Sequence, residues 1–421
     1  MTSDGTRECF VYMVLPGGTT FVPAARFQRT ADRTGSALGR LVYGRTYLAR
    51  RNAVPIDPVQ LPLASGTFET RGLDGLFGAL RDAGPDHWGR RVIERHSDRR
   101  PLDELDYLLL APDDRAGALG FGLKAEPPPP RRLFNRTLEL EHLQRLADAI
   151  VAEEQLPDEP VVGEVEELLL IGTAMGGARP KIVVEDEDAL WIAKFNRPDD
   201  AWNAARVEHA MLLLARECGL HAATSRVVSV AGRDVLLVKR FDREHTPTGY
   251  RRARMLSALT LLRAGDTHLD RGRWSYVLLA EALRRVVARP AHDAPELFRR
   301  MVFNALISNT DDHPRNHAVI AMDVDWTLSP AYDLTPTTPV SLERRDLAMD
   351  CGDDGRRAQA GNLLSQSARF LLGEEQARAT VDSMEQKVRG SWYEVARRAG
   401  VSERDCARIA PAFAYPGFRV R

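Results

Sequence analysis

Cysteine is scarce in this chain of 421 residues: there are four, Cys9, Cys218, Cys351 and Cys406, and no two form a CxxC pair. That spacing argues against a disulfide framework and against a zinc site. So few, scattered thiols fit a reducing, cytoplasmic setting. Long apolar runs are lacking as well. None reaches the ~20 residues of a membrane-spanning helix, so no membrane partner is expected. Near the start, Asp4 and Glu8 accompany only the short apolar stretch Phe10–Leu15, which lacks the charged-then-apolar form of an export signal. Excess charge of either sign is also missing. A formal net charge of −1 excludes a chain that binds nucleic acid through its overall charge.

What is present describes a globular α+β protein. Hydrophobic residues make up 44% and charged residues 28%, and the length exceeds one ordinary core. Short β-like runs occur at Cys9–Leu15, Gly39–Tyr43 and Tyr47–Ala49. Helical patterns follow at Gly72–Ala83, His87–His96 and Leu102–Leu110. Four prolines, Pro127 to Pro130, mark a stiff connection and a first boundary. Beyond it come helical patterns at Leu138–Ile150 and Glu164–Ile171, then a turn-rich Gly172–Ala178. A hairpin of Lys181–Val184 and Ala189–Phe195, a helix Asn203–Cys218 and a hairpin of Ser225–Val230 and Asp234–Lys239 follow. From Leu256 the pattern is mostly helical, with Trp274–Val287, Pro295–Ser308, Glu374–Ser391 and Ser402–Ala412. The expected division is 1–126, 127–160 as linker and helix, 161–250 as an α+β lobe, and 251–421 as a helical lobe.

One run carries the chemistry. Asn309-Thr310-Asp311-Asp312-His313-Pro314-Arg315-Asn316 follows an apolar helix, and Asp333 lies 17 residues beyond Asn316. Phosphotransfer from ATP needs a carboxylate to orient the attacking hydroxyl, and an amide and a carboxylate to hold Mg2+. Asp and Asn also dominate ordinary polar turns, so each residue alone is weak evidence. His313 has His317 nearby but no third ligand for zinc, so it reads as a residue that stiffens the loop or reaches a phosphate. Lys194, in the strand Trp191–Phe195, offers a phosphate cation, and Glu208 on the next helix could pair with it. Gly176, Gly177, Ala178, Arg179, Pro180 and Lys181 form a small-residue turn where backbone N–H groups can approach phosphate oxygens. At the end of the second hairpin, the backbone of Lys239, Arg240 and Phe241 could meet an adenine edge.

These pieces, in this order, resemble the HipA family of serine/threonine kinases, the toxin half of HipBA-type toxin–antitoxin pairs. Asp86-His87-Trp88-Gly89-Arg90 is similar to the family's "DxWGR" segment, and Gly117–Phe121 to its "GALGF" stretch. Gly176–Lys181 resembles the phosphate loop, Ala193–Phe195 the "AKF" strand and Arg240–Arg243 the "RFDR" segment. Asp311–Asn316 and Pro330–Leu334 match "DxHxxN" and "PAYDL". Leu347–Met349 is similar to the downstream "LAM". The resemblance implies a β-containing N-terminal subdomain and a bilobal, protein-kinase-like core. It implies Asp311 as the catalytic carboxylate and Asn316 and Asp333 as Mg2+ ligands. Lys194 and the Gly176–Lys181 loop would contact the ATP phosphates, Lys239 to Phe241 would form the adenine-side hinge, and His313 and Tyr332 would line the site. It further implies a HipB-like helix-turn-helix antitoxin, operator DNA reached through that antitoxin, and a protein substrate such as an aminoacyl-tRNA synthetase. One departure stands out. The loop serine that some members autophosphorylate is Ala174 here, and Thr173 is the nearest hydroxyl. A lipid or small-molecule kinase, or a nucleotide-binding corepressor without kinase activity, remains open from the residues alone.

Overall fold

The computed structural model describes residues 6–31, 35–97, 101–129, 134–136, 139–151, 179–338 and 340–419. The chain is α+β and divides into two compact units. The first is Met1–Phe195 with Arg240–Leu256 and Ile320–Asp325. The second is Asn196–Lys239 with Ser257–Val319 and Trp326–Arg421. These units group the segments differently from the four-part order read off the sequence. The expected helix Glu164–Ile171 and the loop Gly172–Ala178, with Thr173, Ala174, Gly176, Gly177 and Ala178, lie outside the described residues.

The first unit opens with an antiparallel sheet in the order Thr67–Thr70, Ala37–Tyr43, Phe21–Ala31, Arg7–Val14, Leu119–Gly122. Alternation sets its buried face: Ala37, Gly39, Leu41 and Tyr43 point in, while Arg40 and Val42 are exposed. The long strand Phe21–Ala31 has no clean period-2 signal. Val11 pairs with Ala25 but Tyr12 pairs with Pro23, so Ala24 is a bulge residue that resets the alternation. The stretch Tyr47–Ala49, expected as a strand, belongs instead to the helical turn Arg45–Leu48. Tyr47 stacks on Tyr43 and donates to the Val54 carbonyl at 2.7 Å, contacts that favour the turn. The expected Gly72–Ala83 helix is broken into a 3-10 turn at Gly72–Gly75 and a short helix at Gly78–Asp82. The break lies at Leu73, Asp74 and Gly75, whose φ of +48°, +56° and +77° no α-helix holds, and Gly75 packs so close to the strand that a Cβ on Gly39 would sit 1.9 Å from its carbonyl oxygen.

A buried charge cluster joins separated parts of this unit. The Arg240 side chain contacts Asp114 and Asp242, and all three are at most 1% exposed. Arg243 adds bonds to Asp242 and to the Gly117 carbonyl. Asp242 also accepts from the Gly117 N–H at 2.9 Å. The "RFDR" segment is therefore an internal brace.

In the second unit, Asn203 caps the helix Ala204–Glu217 by accepting from Arg206 N–H at 3.2 Å. Arg206 then pairs with Asp234 on the hairpin Ser225–Val230/Arg233–Lys239. The central helix runs Pro290–Leu306, starting five residues before the expected Pro295. Pro290 occupies the first helical position, where a missing N–H matters least. Leu297, Phe298, Met301, Val302 and Phe303 on this helix are all fully buried. The helix Glu374–Arg398 extends beyond the expected Ser391.

Candidate active site

The site begins where the central helix stops. Ser308 N–H donates to the Ala305 carbonyl at 3.3 Å and Asn309 N–H to the Asn304 carbonyl at 2.9 Å. Those paired bonds are a Schellman ending, with Ser308 in the left-handed region at φ +54° where glycine is usual. The strained residue is held in place: its hydroxyl donates to the Ala412 carbonyl at 2.5 Å and also contacts Arg345. The turn therefore delivers Asn309 to Asn316 in a fixed direction from a buried helix.

Within the loop the two aspartates have opposite fates. Asp311 is exposed, and among the described residues no hydrogen bond or ion pair holds its carboxylate. Asp312 is 1% exposed and accepts from Tyr276 Oη and from His317 Nε2, the latter at 2.9 Å. His313 Nδ1 accepts from the Arg315 N–H at 3.2 Å, capping the turn Pro314–Asn316, so it stiffens the loop. Arg315 pairs with Asp266 at 2.5 Å. Asn316 Nδ2 donates to the Asp311 carbonyl at 3.5 Å, which orients the amide and directs its oxygen away from that bond.

Asp333 is carried by a segment pinned on two sides. Ala331 N–H donates to the His221 carbonyl at 2.7 Å, and Ala223 N–H donates to the Ala331 carbonyl at 2.8 Å. Arg300, buried in the central helix and paired with Glu296, donates to the Ser329 carbonyl at 2.5 Å. Burial pushes the Arg300 guanidinium below its ordinary pKa, against the opposing pull of Glu296. Asp333 itself has φ +59°. Two bonds then tie this segment to the loop: Tyr332 Oη donates to the Arg315 carbonyl at 2.7 Å, and Asn309 Nδ2 donates to the Asp333 carbonyl at 3.4 Å. Tyr332, expected to line the site, thus braces it through its hydroxyl. An amide oxygen and a carboxylate on this frame are hard oxygen donors, a set that fits magnesium, which takes one or two carboxylates and keeps water and phosphate as its other ligands.

In the first unit the expected phosphate cations separate. Lys181 and Lys194 are direct cross-strand partners in the hairpin. Lys194 is half-buried. Lys181, by contrast, is 2% exposed, and its ammonium lies 2.6 Å from Asp86 Oδ2. Asp86 also caps the helix His87–His96 by accepting from Gly89 N–H at 2.7 Å. The expectation that Lys181 reaches a phosphate is therefore corrected, because a buried ammonium needs a counterion and Asp86 is it. Arg240 is engaged too: its side chain is held by the acidic cluster, and its N–H donates to the Leu190 carbonyl at 2.8 Å. Arg179 donates to the Phe195 carbonyl at 3.3 Å, and the Pro180 carbonyl accepts from Phe195 N–H, so both close the hairpin. Lys239, in the second unit, is exposed, and Phe241, in the first, is half-buried. Glu208 is buried in its helix.

Sequence reasoning overlooked Tyr276 and Asn304 and gave no bracing role to Asn309, Asp312 and His317, all at most 2% exposed around this loop. One signal existed: Asn304 is a polar residue on the buried stripe of the central helix.

Comparison with known proteins agrees with this architecture. The HipA N-terminal domain family matches residues 23–122, and the HipA-like C-terminal domain family matches residues 173–392. A Sinorhizobium fredii protein named "Putative kinase Y4mE" is 27% identical over 341 residues, covering 77% of this chain and 78% of the relative. A second protein of that organism, "Putative kinase Y4dM", is 30% identical over 181 residues, 40% of this chain and 42% of its own length. Among solved structures, a chain of the Shewanella oneidensis MR-1 toxin–antitoxin complex of HipA, HipB and operator DNA superposes with TM-score 0.66 and 16% identity, covering 96% of this chain and 94% of that one. Fold and site together define an α+β protein of the HipA fold class. With its C-terminal match spanning more than half its length, the chain belongs to the HipA family.

Proposed function

We propose that this protein is an ATP- and Mg2+-dependent serine/threonine kinase, and the toxin half of a type II toxin–antitoxin pair. The observation that carries the reading is the contrast within one loop. Asp312 is locked inside, while the neighbouring Asp311 carboxylate is presented to solvent beside an oriented amide at Asn316. Family membership and the kinase names of its relatives support it.

In this reading the acceptor hydroxyl donates a hydrogen bond to Asp311, which aims the oxygen at the γ-phosphorus of ATP. The new O–P bond forms as the P–O bond to ADP breaks, and the hydroxyl proton passes to Asp311 or to water. Asn316 and Asp333 would hold magnesium, which would supply positive charge to the phosphates. Lys194 and the Gly176–Ala178 segment would contact the phosphates, and Lys239 and Phe241 would serve the adenine. Catalysis then rests on positioning and electrostatics, with no covalent protein intermediate. Since the HipA fold occurs in a complex with HipB and operator DNA, the proposed partner is a HipB-like DNA-binding antitoxin, and the proposed acceptor is a serine or threonine of a translation protein such as an aminoacyl-tRNA synthetase.

The test is phosphate transfer from γ-labelled ATP to lysate proteins, with lipid and metabolite extracts as parallel acceptors. Asp311→Asn should abolish transfer and leave ATP binding within a few-fold of wild type. Transfer by that variant at near-normal rate refutes the assignment, and label appearing only in lipids or metabolites refutes the protein acceptor.

A further inference from the structure

We propose that Tyr276, with Asp312, Asn304 and Asn309, is a buried positioning relay that fixes the separation between the Asp311–Asn316 loop and Asp333. The proposal rests on the phosphotransfer reading of that site. The bonds diverge from Asn309. Asn309 Nδ2 donates to the Asp333 carbonyl at 3.4 Å and to Asn304 Oδ1 at 3.1 Å. Asn304 Nδ2 donates to Tyr276 Oη at 3.1 Å, and Tyr276 Oη donates to Asp312 Oδ2. His317 Nε2 donates to the same oxygen at 2.9 Å, and its ring packs edge-on against Tyr276 with centroids 5.3 Å apart. Every donor between Asn309 and Asp312 points towards the Asp312 side chain, so the chain ends on an oxygen that accepts.

Burial makes this arrangement significant. Tyr276 and Asn304 are fully buried, and Asn309 and Asp312 are 1% exposed. A polar side chain so buried is tolerated only when satisfied. A core needing cohesion alone would be served by leucine or phenylalanine here. The relay instead begins at the backbone of one proposed magnesium ligand and ends one residue from the proposed catalytic carboxylate. The Tyr276 helix is itself anchored: Tyr276 N–H donates to the Asp350 carbonyl at 2.9 Å, and Asp350 N–H donates to the Trp274 carbonyl at 2.8 Å. A shift at Tyr276 would therefore be felt at both ends of the relay.

The experiment uses Tyr276→Phe in the full chain, which keeps the ring against His317 and removes only the hydroxyl. Mn2+ binding is read by electron paramagnetic resonance in the presence of a non-hydrolysable ATP analogue, and kcat and KM are measured separately. Mn2+ affinity and kcat should each fall about tenfold, the loss expected for one or two buried hydrogen bonds. KM for the acceptor should stay within about twofold on the same reasoning, because no acceptor contact is removed. Raising the metal concentration should recover part of the rate of Tyr276→Phe and none of that of Asp311→Asn. Wild-type Mn2+ affinity and kcat in a folded Tyr276→Phe protein would overturn the proposal. Should Tyr276→Phe not fold, Asn309→Ala, which removes the links to Asp333 and to Asn304 at one end of the relay, decides it by the same readouts. If the wild-type chain transfers phosphate to no acceptor yet Tyr276→Phe still weakens Mn2+ binding, the kinase reading fails and the positioning relay stands.

Discussion

Replacing Asp242 by asparagine should destabilise the first compact unit by about 3–5 kcal/mol, the typical consequence of removing one partner from a buried ion cluster. The geometry sets that figure near the top of its range. Asp242 Oδ1 accepts from Arg240 Nε at 2.9 Å. Its Oδ2 accepts from Arg240 Nη2 at 2.8 Å, Arg243 Nη1 at 2.7 Å and Gly117 N–H at 2.9 Å. Asparagine keeps the volume but turns a donor towards at least one of these donors, and it leaves two arginines facing Asp114 alone. Burial by itself would raise the Asp242 pKa, but Arg240 and Arg243 outweigh it and hold the carboxyl below its ordinary range, so the charge is present at every working pH. Against the ~5–15 kcal/mol that stabilises a typical domain, such a loss is large. Urea titration with hydrogen exchange in the strands Arg7–Val14 and Leu119–Gly122 reads it out. The double variant Asp242→Asn/Arg243→Met restores the charge balance. It should therefore lose less than the sum of the single variants, by about 0.5–3 kcal/mol. A single-variant loss below ~1 kcal/mol, the scale of an exposed pair, or strict additivity of the two, would refute the cluster as a structural brace.

Two further outcomes follow from paired charges elsewhere in this unit. The Arg7 guanidinium holds the Asp106 carboxyl down at about 2, from an ordinary 3.8, so its stabilising contribution is complete above the higher value and is lost as pH falls through the lower one. Wild type should therefore show a falling thermal midpoint between about pH 4 and pH 2 that is shallower in Asp106→Asn; identical slopes would contradict the pairing. Lys181→Met should destabilise the unit by about 3 kcal/mol through an orphaned Asp86, and Asp86→Asn in the same chain should recover most of that, as measured by chemical denaturation. A stable Lys181→Met protein with impaired ATP binding would instead return Lys181 to the phosphates.

The parts of the site legible in the sequence were those set by local spacing. Asp311, Asn316 and Asp333 stand out because a polar run follows an apolar helix, and the structure places them on one braced frame. Lys181 was misread because its partner, Asp86, is ninety-five positions away in the chain, and no local pattern predicts a buried pair at that distance. Tyr276 and Asn304 were overlooked for the same reason, since a relay is defined by long-range hydrogen bonds. In the fold, period-2 patterning found Gly39–Tyr43, part of the strand Ala37–Tyr43, but not Phe21–Ala31, where one bulged residue breaks the alternation. Tyr47 carried β-propensity, and tertiary stacking on Tyr43 overrode it.

The discontinuous build of the first unit bears on how the chain is made. Asp114 and Arg115 emerge from the ribosome long before Arg240 and Asp242, and Arg254 finds its acceptors at Asp323 and Val324 later still. The first 195 residues alone therefore lack the partners that Asp114, Arg115 and Gly117 bond in the whole unit. The unit closes only after about three-quarters of the protein has been translated. A chain whose synthesis stops before residue 240 lacks the Arg240 and Asp242 partners of Asp114, Arg115 and Gly117.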